Sequence, residues 1–302
     1  MKEISGYFTI FFKPTDKPVL VACTLLTGFM IWANYHYGID RYISRQNSPI
    51  SYFYYRYLIF LVAFALPYLF YYTLNGKNYF QSAHISFLII IAPAIFSMKM
   101  AINTEINLSE HLLWNDYWNQ IIYWPVRLVI MTAILFVIWK WLYRNESFFG
   151  LTTRNFKWKP YLLLLLMMIP LIAAASTQSD FLAMYPKMQN ISGVSSVTSG
   201  NWFYKLLFEL SYGSDFISIE LFFRGFLILA FLKVVGKDAI LPMACFYCTI
   251  HFGKPLGECI SSYFGGMLLG IVVYHTRSIY GGLVVHLGIA WLMELGGSLG
   301  NL

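Results

Sequence analysis

The chain has 302 residues, 58% of them hydrophobic and only 12% charged, against roughly 25% charged in an ordinary soluble domain. That balance excludes a soluble globular enzyme and points to a polytopic membrane protein. The net charge of +7 comes without a basic stripe interleaved with aromatics, which argues against nucleic acid and leaves topology and anionic lipid headgroups to account for it.

Apolar runs near the length that crosses a bilayer, roughly 17 to 25 residues, recur along the chain. They predict an all-α transmembrane bundle of eight or nine spans, near residues 19–36, 57–74, 84–98, 121–142, 160–176, 206–233, 238–252, 256–275 and 279–297. The first run follows Lys2, Lys13 and Lys17 with no small-residue cleavage site after it, so it is expected to be a retained helix rather than a signal peptide. Placing the N-terminus in the cytoplasm puts the larger share of Lys and Arg in cytoplasmic segments, although Arg41, Arg45 and Arg56 between the first two spans count the other way.

Residues 1–142, with four spans rich in Tyr, Phe and Trp, read as an N-terminal scaffold. Residues 143–302 form the part that carries chemistry, opening on the basic hinge "YRNESFFGLTTRNFKWKP" at 143–160 and continuing through a polar loop at 176–201. Cys23, Cys245, Cys248 and Cys259 all fall in spans, where they serve as small buried hydrophobes rather than a zinc or redox pair.

The last hundred residues differ from the scaffold because ionisable groups fall inside their spans. Each such group costs about 2.5–3.5 kcal/mol on insertion scales for Asp, Lys or Arg, so it is expected to face a bundle interior or a wet cavity. Glu220 and Arg224 in "SIELFFRGF" are four apart, share a helix face and can pair, with Gly225 allowing a neighbouring helix close. The bland reading of that pair is a helix-orienting clamp. His251 closes one span in "HFGKPLGE"; the chain breaks at Gly253 and restarts at Pro255 with Glu258 in the first turn, so His251 and Glu258 can converge on a water. Lys254 between them reads as an interface anchor. His286 lies two turns before Glu294 on nearly one face, in a helix that Gly281, Gly282 and Gly288 let pack tightly. His84 and His275, near span ends, read as interfacial. Water activation for hydrolysis, metal ligation and a proton relay in a transporter all remain open on these residues alone.

The order Glu-x-x-x-Arg at 220 and 224, aromatic-x-x-x-His at Tyr247 and His251, then His286, each on its own span, resembles the type II CAAX prenyl protease and bacteriocin-processing family, also called the CPBP or ABI family. The resemblance covers about residues 205–298 and implies a membrane-embedded endopeptidase acting on a lipidated or membrane-associated peptide. It implies a multi-pass protein of a bacterial plasma membrane, with lipid and peptide as partners. No cofactor is required by its scheme, zinc at the histidines being the alternative. In the family's usual pattern two adjacent glutamates precede the arginine, and an Asn follows the last His by four. Here Ile219 and Ala290 stand at the first Glu and the Asn, and Tyr247 stands where Phe is usual. The resemblance therefore leaves a substitute base to be found, Glu258 first and Asp215 second, while Glu294 is a candidate for the orienting role of the missing Asn. It equally fits a catalytically inactive relative that binds a membrane peptide as an immunity or assembly factor.

Overall fold

The computed structural model describes residues 2–13, 16–110, 112–154, 156–190 and 201–302, with side chains from Gly6 onward. In chain order the helices are α1 (Lys2–Phe12), α2 (Lys17–Tyr37), α3 (Ile39–Ser44), α4 (Pro49–Asn75), α5 (Ala83–Ala101), α6 (Leu112–Leu142), α7 (Trp158–Ala175), α8 (Ser179–Met184), α9 (Trp202–Glu220), α10 (Ile240–Thr249), α11 (Leu256–Thr276) and α12 (Tyr280–Gly300). No strand occurs among the described residues. Of the polar loop expected at 176–201, residues 191–200 lie outside them.

Seven of these helices, α2, α4, α5, α6, α7, α11 and α12, are long and apolar enough to cross a membrane, and the chain is an all-α, multi-pass integral membrane protein. Two predicted spans take a different form. The run near 206–233 is α9 continued through a π-helical stretch, Leu221–Ala230. The run near 238–252 is the ten-residue α10, too short to span by itself; every one of its residues is buried. A helix apolar on all faces belongs at the centre of a bundle, and α10 packs against α11, α4 and α2.

Helix limits follow local chemistry. Ser48 caps α4 through its hydroxyl, with Pro49 in the first turn where its missing N–H costs nothing. The helix ends at Gly76 in the left-handed region. Pro67, Pro93, Pro125 and Pro170 lie inside long helices, which membrane bundles tolerate. The main core runs from Phe60 and Phe64 of α4 through Phe96 of α5 to Phe222, Phe223 and Phe226 of the π-helical stretch and Phe246 of α10. Their rings meet at centroid separations of 4.9–6.0 Å.

Two clamps fix the bundle ends. At one end the Lys77 ammonium lies between Asp16 and Asp238, and the Tyr79 hydroxyl also donates to Asp238 at 2.6 Å. At the other, the corner between α2 and α3 grips the turn after α10. The buried Asn34 donates to the Phe252 carbonyl at 2.9 Å and accepts the Asp40 N–H at 2.9 Å, while Tyr35 donates to the Lys254 carbonyl. Asp40 pairs with Arg56 at 2.6 Å. Lys99 is buried in the last turn of α5 and paired with Asp215 at 2.7 Å. Burying either charge alone would be costly, so the pair ties α5 to α9.

Candidate active site

Glu220 ends α9 and Arg224 lies one turn on, where the backbone widens into the π-helix; both side chains are fully buried. Extended π-helix is rare, and short π-bulges are frequent at functional sites. The expected pair forms, with Arg224 Nη1 3.4 Å from Glu220 Oε1. This is an ion pair without a hydrogen bond: all three guanidinium nitrogens, and Glu220 Oε2, have no hydrogen-bond partner. The guanidinium instead lies 3.9 Å from the Tyr247 ring centroid, a cation–π contact worth about 2 kcal/mol when desolvated.

Two approaches make this possible. Gly282 on α12 faces Glu220, where an added Cβ would sit 2.3 Å from Oε2. Gly225 takes the Phe149 carbonyl so closely that a Cβ would lie 2.5 Å from it, seating the "FFGL" loop on the π-helix. The close passage of α12 brings His286 Nδ1 to 3.0 Å from Glu220 Oε1, and its Nε2 to 3.1 Å from the Tyr247 hydroxyl. The Phe216 ring closes the far side, 4.7 Å from the imidazole.

His251 lies on the other side of Tyr247. Its ring centroid is 4.8 Å from the tyrosine's, and Nδ1 meets the Tyr247 carbonyl at 3.1 Å. A carbonyl only accepts, so Nδ1 carries the proton and Nε2 presents a lone pair, the tautomer a general base needs. His251 is half-buried, in contrast to Glu220 and Arg224.

A second polar tier adjoins the first across the turn. The Tyr185 hydroxyl donates to Glu258 (3.0 and 3.1 Å to its two oxygens) and accepts from Lys254 Nζ at 2.8 Å; Lys254 is also 3.4 Å from Glu258. Lys254 thus reaches Glu258 and Tyr185 rather than serving as the interface anchor that sequence suggested. Lys187 lies beside this tier, and burial, then the charge of Lys254, pushes its ammonium down to about 7.

Glu220, Arg224, Tyr247, His251 and His286 are therefore brought together, with Lys254 and Glu258 as their neighbours. Glu294 is turned to the second tier, where it accepts the Lys187 backbone N–H at 2.8 Å; its other oxygen is buried without a partner. Asp215 is held by Lys99 and by the Ser218 hydroxyl at 3.1 Å. Ala290 is buried against Phe216 and Tyr212, offering no polar group one turn from His286. The residues that sequence reasoning missed are Tyr185 and Lys187, both in the polar loop, and Lys99; a Tyr or Lys in such positions carries no spacing signal.

Among the described residues, no group of three or more His, Cys, Asp or Glu is arranged to hold a metal. The four cysteines are free and buried. Cys248 faces Cys259 and Cys245 faces Thr27, so the first and second do not form a pair. His84 meets the Tyr143 hydroxyl at 2.6 Å and His275 stacks on Tyr7 at 4.6 Å, both away from the site.

No curated protein and no solved structure matches the chain. Residues 189–292, about a third of it, match the family model described as type II CAAX prenyl endopeptidase Rce1-like. That segment contains Glu220, Arg224, Tyr247, His251, Glu258 and His286, so the part of the chain that builds the buried polar site is the part similar to this family of intramembrane proteases.

Proposed function

We propose that the protein is an intramembrane endopeptidase of CAAX type, hydrolysing a peptide bond in a membrane-associated or lipidated peptide. The observation that carries this reading is the junction at Tyr247, which has one histidine on its ring and backbone and the other on its hydroxyl, with a buried carboxylate on the second imidazole. His251 Nε2, assisted by Glu258 or Glu220, takes a proton from water as the oxygen attacks the scissile carbonyl. His286 polarises the scissile carbonyl through the group held on its Nε2, and Arg224 holds Glu220. Collapse of the tetrahedral intermediate breaks the C–N bond, and the proton on His251 passes to the leaving amine. Residues 1–142 form the scaffold and 143–302 the catalytic part, in a bacterial plasma membrane with the N-terminus cytoplasmic.

Purified protein in liposomes, given an internally quenched peptide with a farnesylated cysteine near its C-terminus, releases fluorescence; His251→Ala and Glu258→Gln abolish the release. Cleavage persisting in both variants refutes the assignment.

One observation favours a second reading, a catalytically inactive protein that binds a membrane peptide as an immunity or assembly factor. Glu258 accepts the Tyr185 hydroxyl, 3.0 and 3.1 Å from its two oxygens, and pairs with Lys254, partners that compete with a water for this carboxylate. On that reading, complementation of a deletion strain survives loss of His251 and Glu258.

A further inference from the structure

Both nitrogens of His286 are occupied, Nδ1 by Glu220 at 3.0 Å and Nε2 by the Tyr247 hydroxyl at 3.1 Å. A substrate carbonyl oxygen cannot reach either nitrogen without displacing one of them. The group that this carboxylate–imidazole pair presents outward is therefore a phenol. We propose that the Tyr247 hydroxyl is the catalytic donor that stabilises the oxyanion in peptide-bond hydrolysis, positioned and polarised by Glu220 through His286. This rests on the peptidase reading and names a group that acts in it.

The chemistry follows from the direction of the hydrogen bonds. With His286 as the imidazolium, Nδ1–H donates to the Glu220 carboxylate and Nε2–H donates to the Tyr247 oxygen. The phenol hydrogen is then free to point at the carbonyl oxygen of the substrate. With neutral His286 the phenol hydrogen is held by Nε2, and the donor is lost. The same proton that frees the donor leaves the buried set, Arg224 and His286 against Glu220, with one surplus positive charge. An oxyanion forming beside it cancels that surplus, where a neutral carbonyl does not, so the interaction strengthens toward the transition state.

Three features of the surroundings point the same way. The guanidinium of Arg224 lies 3.9 Å from the Tyr247 ring and has no hydrogen-bonded partner, so its charge is spent on the tyrosine and the glutamate. Tyr247 is 4% exposed, and buried beside Phe223 its hydroxyl acts in a low-dielectric setting where such a donor is worth far more than in water. Ala290, one turn beyond His286, supplies no competing donor. Tyr247 forms no covalent bond to substrate; it lends a hydrogen bond as the water oxygen adds to carbon, and withdraws it when the C–N bond breaks.

The test uses the full-length protein in liposomes with the quenched farnesylated peptide. Tyr247→Phe removes one oxygen and keeps the ring that packs on His251 and Arg224. Loss of an oxyanion donor is expected to lower kcat about 100- to 1,000-fold, with KM unchanged within threefold and the melting temperature kept. A second measurement places 3,5-difluorotyrosine at 247, whose hydroxyl is more acidic. At one fixed pH, kcat then changes more than threefold if the hydroxyl donates in the chemical step, and is unchanged if tyrosine only packs. A Tyr247→Phe protein with kcat within threefold of the parent, or a difluorotyrosine protein whose kcat is unchanged, overturns the inference while leaving the peptidase reading intact. A parent protein that fails to cleave the probe overturns both.

Discussion

Asp215 lies one turn from Ile219 on α9, where a substitute base was sought, and the ion pair it forms decides what it does. Lys99 is 3% exposed and its ammonium is 2.7 Å from Asp215 Oδ1, with the Phe96 ring 5.1 Å away. The Asp215→Asn substitution keeps shape but leaves the Lys99 charge buried with no counterion. Breaking a buried pair on one side costs about 3–5 kcal/mol. At about 1.4 kcal/mol per decade, that is two to three and a half orders of magnitude in the folded ratio. At roughly 2–4 °C per kcal/mol, the apparent melting temperature falls by roughly 6–20 °C. The double variant Lys99→Met with Asp215→Leu removes both charges and recovers most of the loss, because apolar residues of similar volume often replace a buried pair at no cost. The assay is thermal unfolding of purified protein in detergent, monitored by size-exclusion fluorescence, together with turnover per folded molecule on the quenched peptide. A role confined to tying α5 to α9 predicts normal turnover from the surviving folded fraction. An Asp215→Asn protein that keeps its melting temperature but loses turnover would make Asp215 the base and refute this reasoning.

A methyl group at Gly282 would lie 2.3 Å from Glu220 Oε2, against a fully buried carboxylate that has nowhere to go. Gly282→Ala is therefore expected to cost about 1–3 kcal/mol by overpacking and to abolish cleavage. Gly288→Ala on the same helix, which meets only the flexible end of Leu165, keeps it. For Lys187 the folded pKa is about 7 against an ordinary 10.5, lowered by burial and then by Lys254. Between these values the unfolded chain binds the extra proton, so the contribution of Lys187 to stability rises with pH from 7 to 10.5, the penalty for burying the charge being full below 7. Lys187→Met should flatten that part of the melting temperature against pH; a slope unchanged by the substitution shows that another group carries it.

The bundle was legible because apolar runs of spanning length separated by polar loops leave few alternatives in a membrane. The limits of that reading have physical causes. A ten-residue apolar run in α10 has the same composition whether it crosses a bilayer or fills a protein core, and only its neighbours decide. The π-helix over Leu221–Ala230 has no periodic signature in a run of Leu, Phe and Ile, yet it sets the angle at which Arg224 meets Glu220. The Glu220–Arg224 pairing was readable from its spacing of four. Its extension to His286 and Tyr247 was not, since it depends on how closely α12 passes α9. The second tier was half legible: Glu258 and Lys254 stand out in sequence, but Tyr185, which bonds both, is one tyrosine among 23.

The distribution of burial assigns the work within the site. Glu220 and Arg224 are sealed from solvent, so neither can exchange protons with bulk water as a base must between turnovers. His251 is half-buried and has Nε2 unprotonated by the bond that Nδ1 makes to the Tyr247 carbonyl. The turn that carries it is fixed from outside by Asn34, which satisfies the Phe252 carbonyl. Gly253 packs against Asp40, where a Cβ would lie 2.7 Å from the carboxylate. On the proposed reading, the first spans thus hold the water-activating histidine in place against the buried Glu220 and Tyr247. A base on the wet side and an oxyanion donor on the dry side is the division that amide hydrolysis within a membrane requires: the first must meet water, and the second gains its strength from water's exclusion.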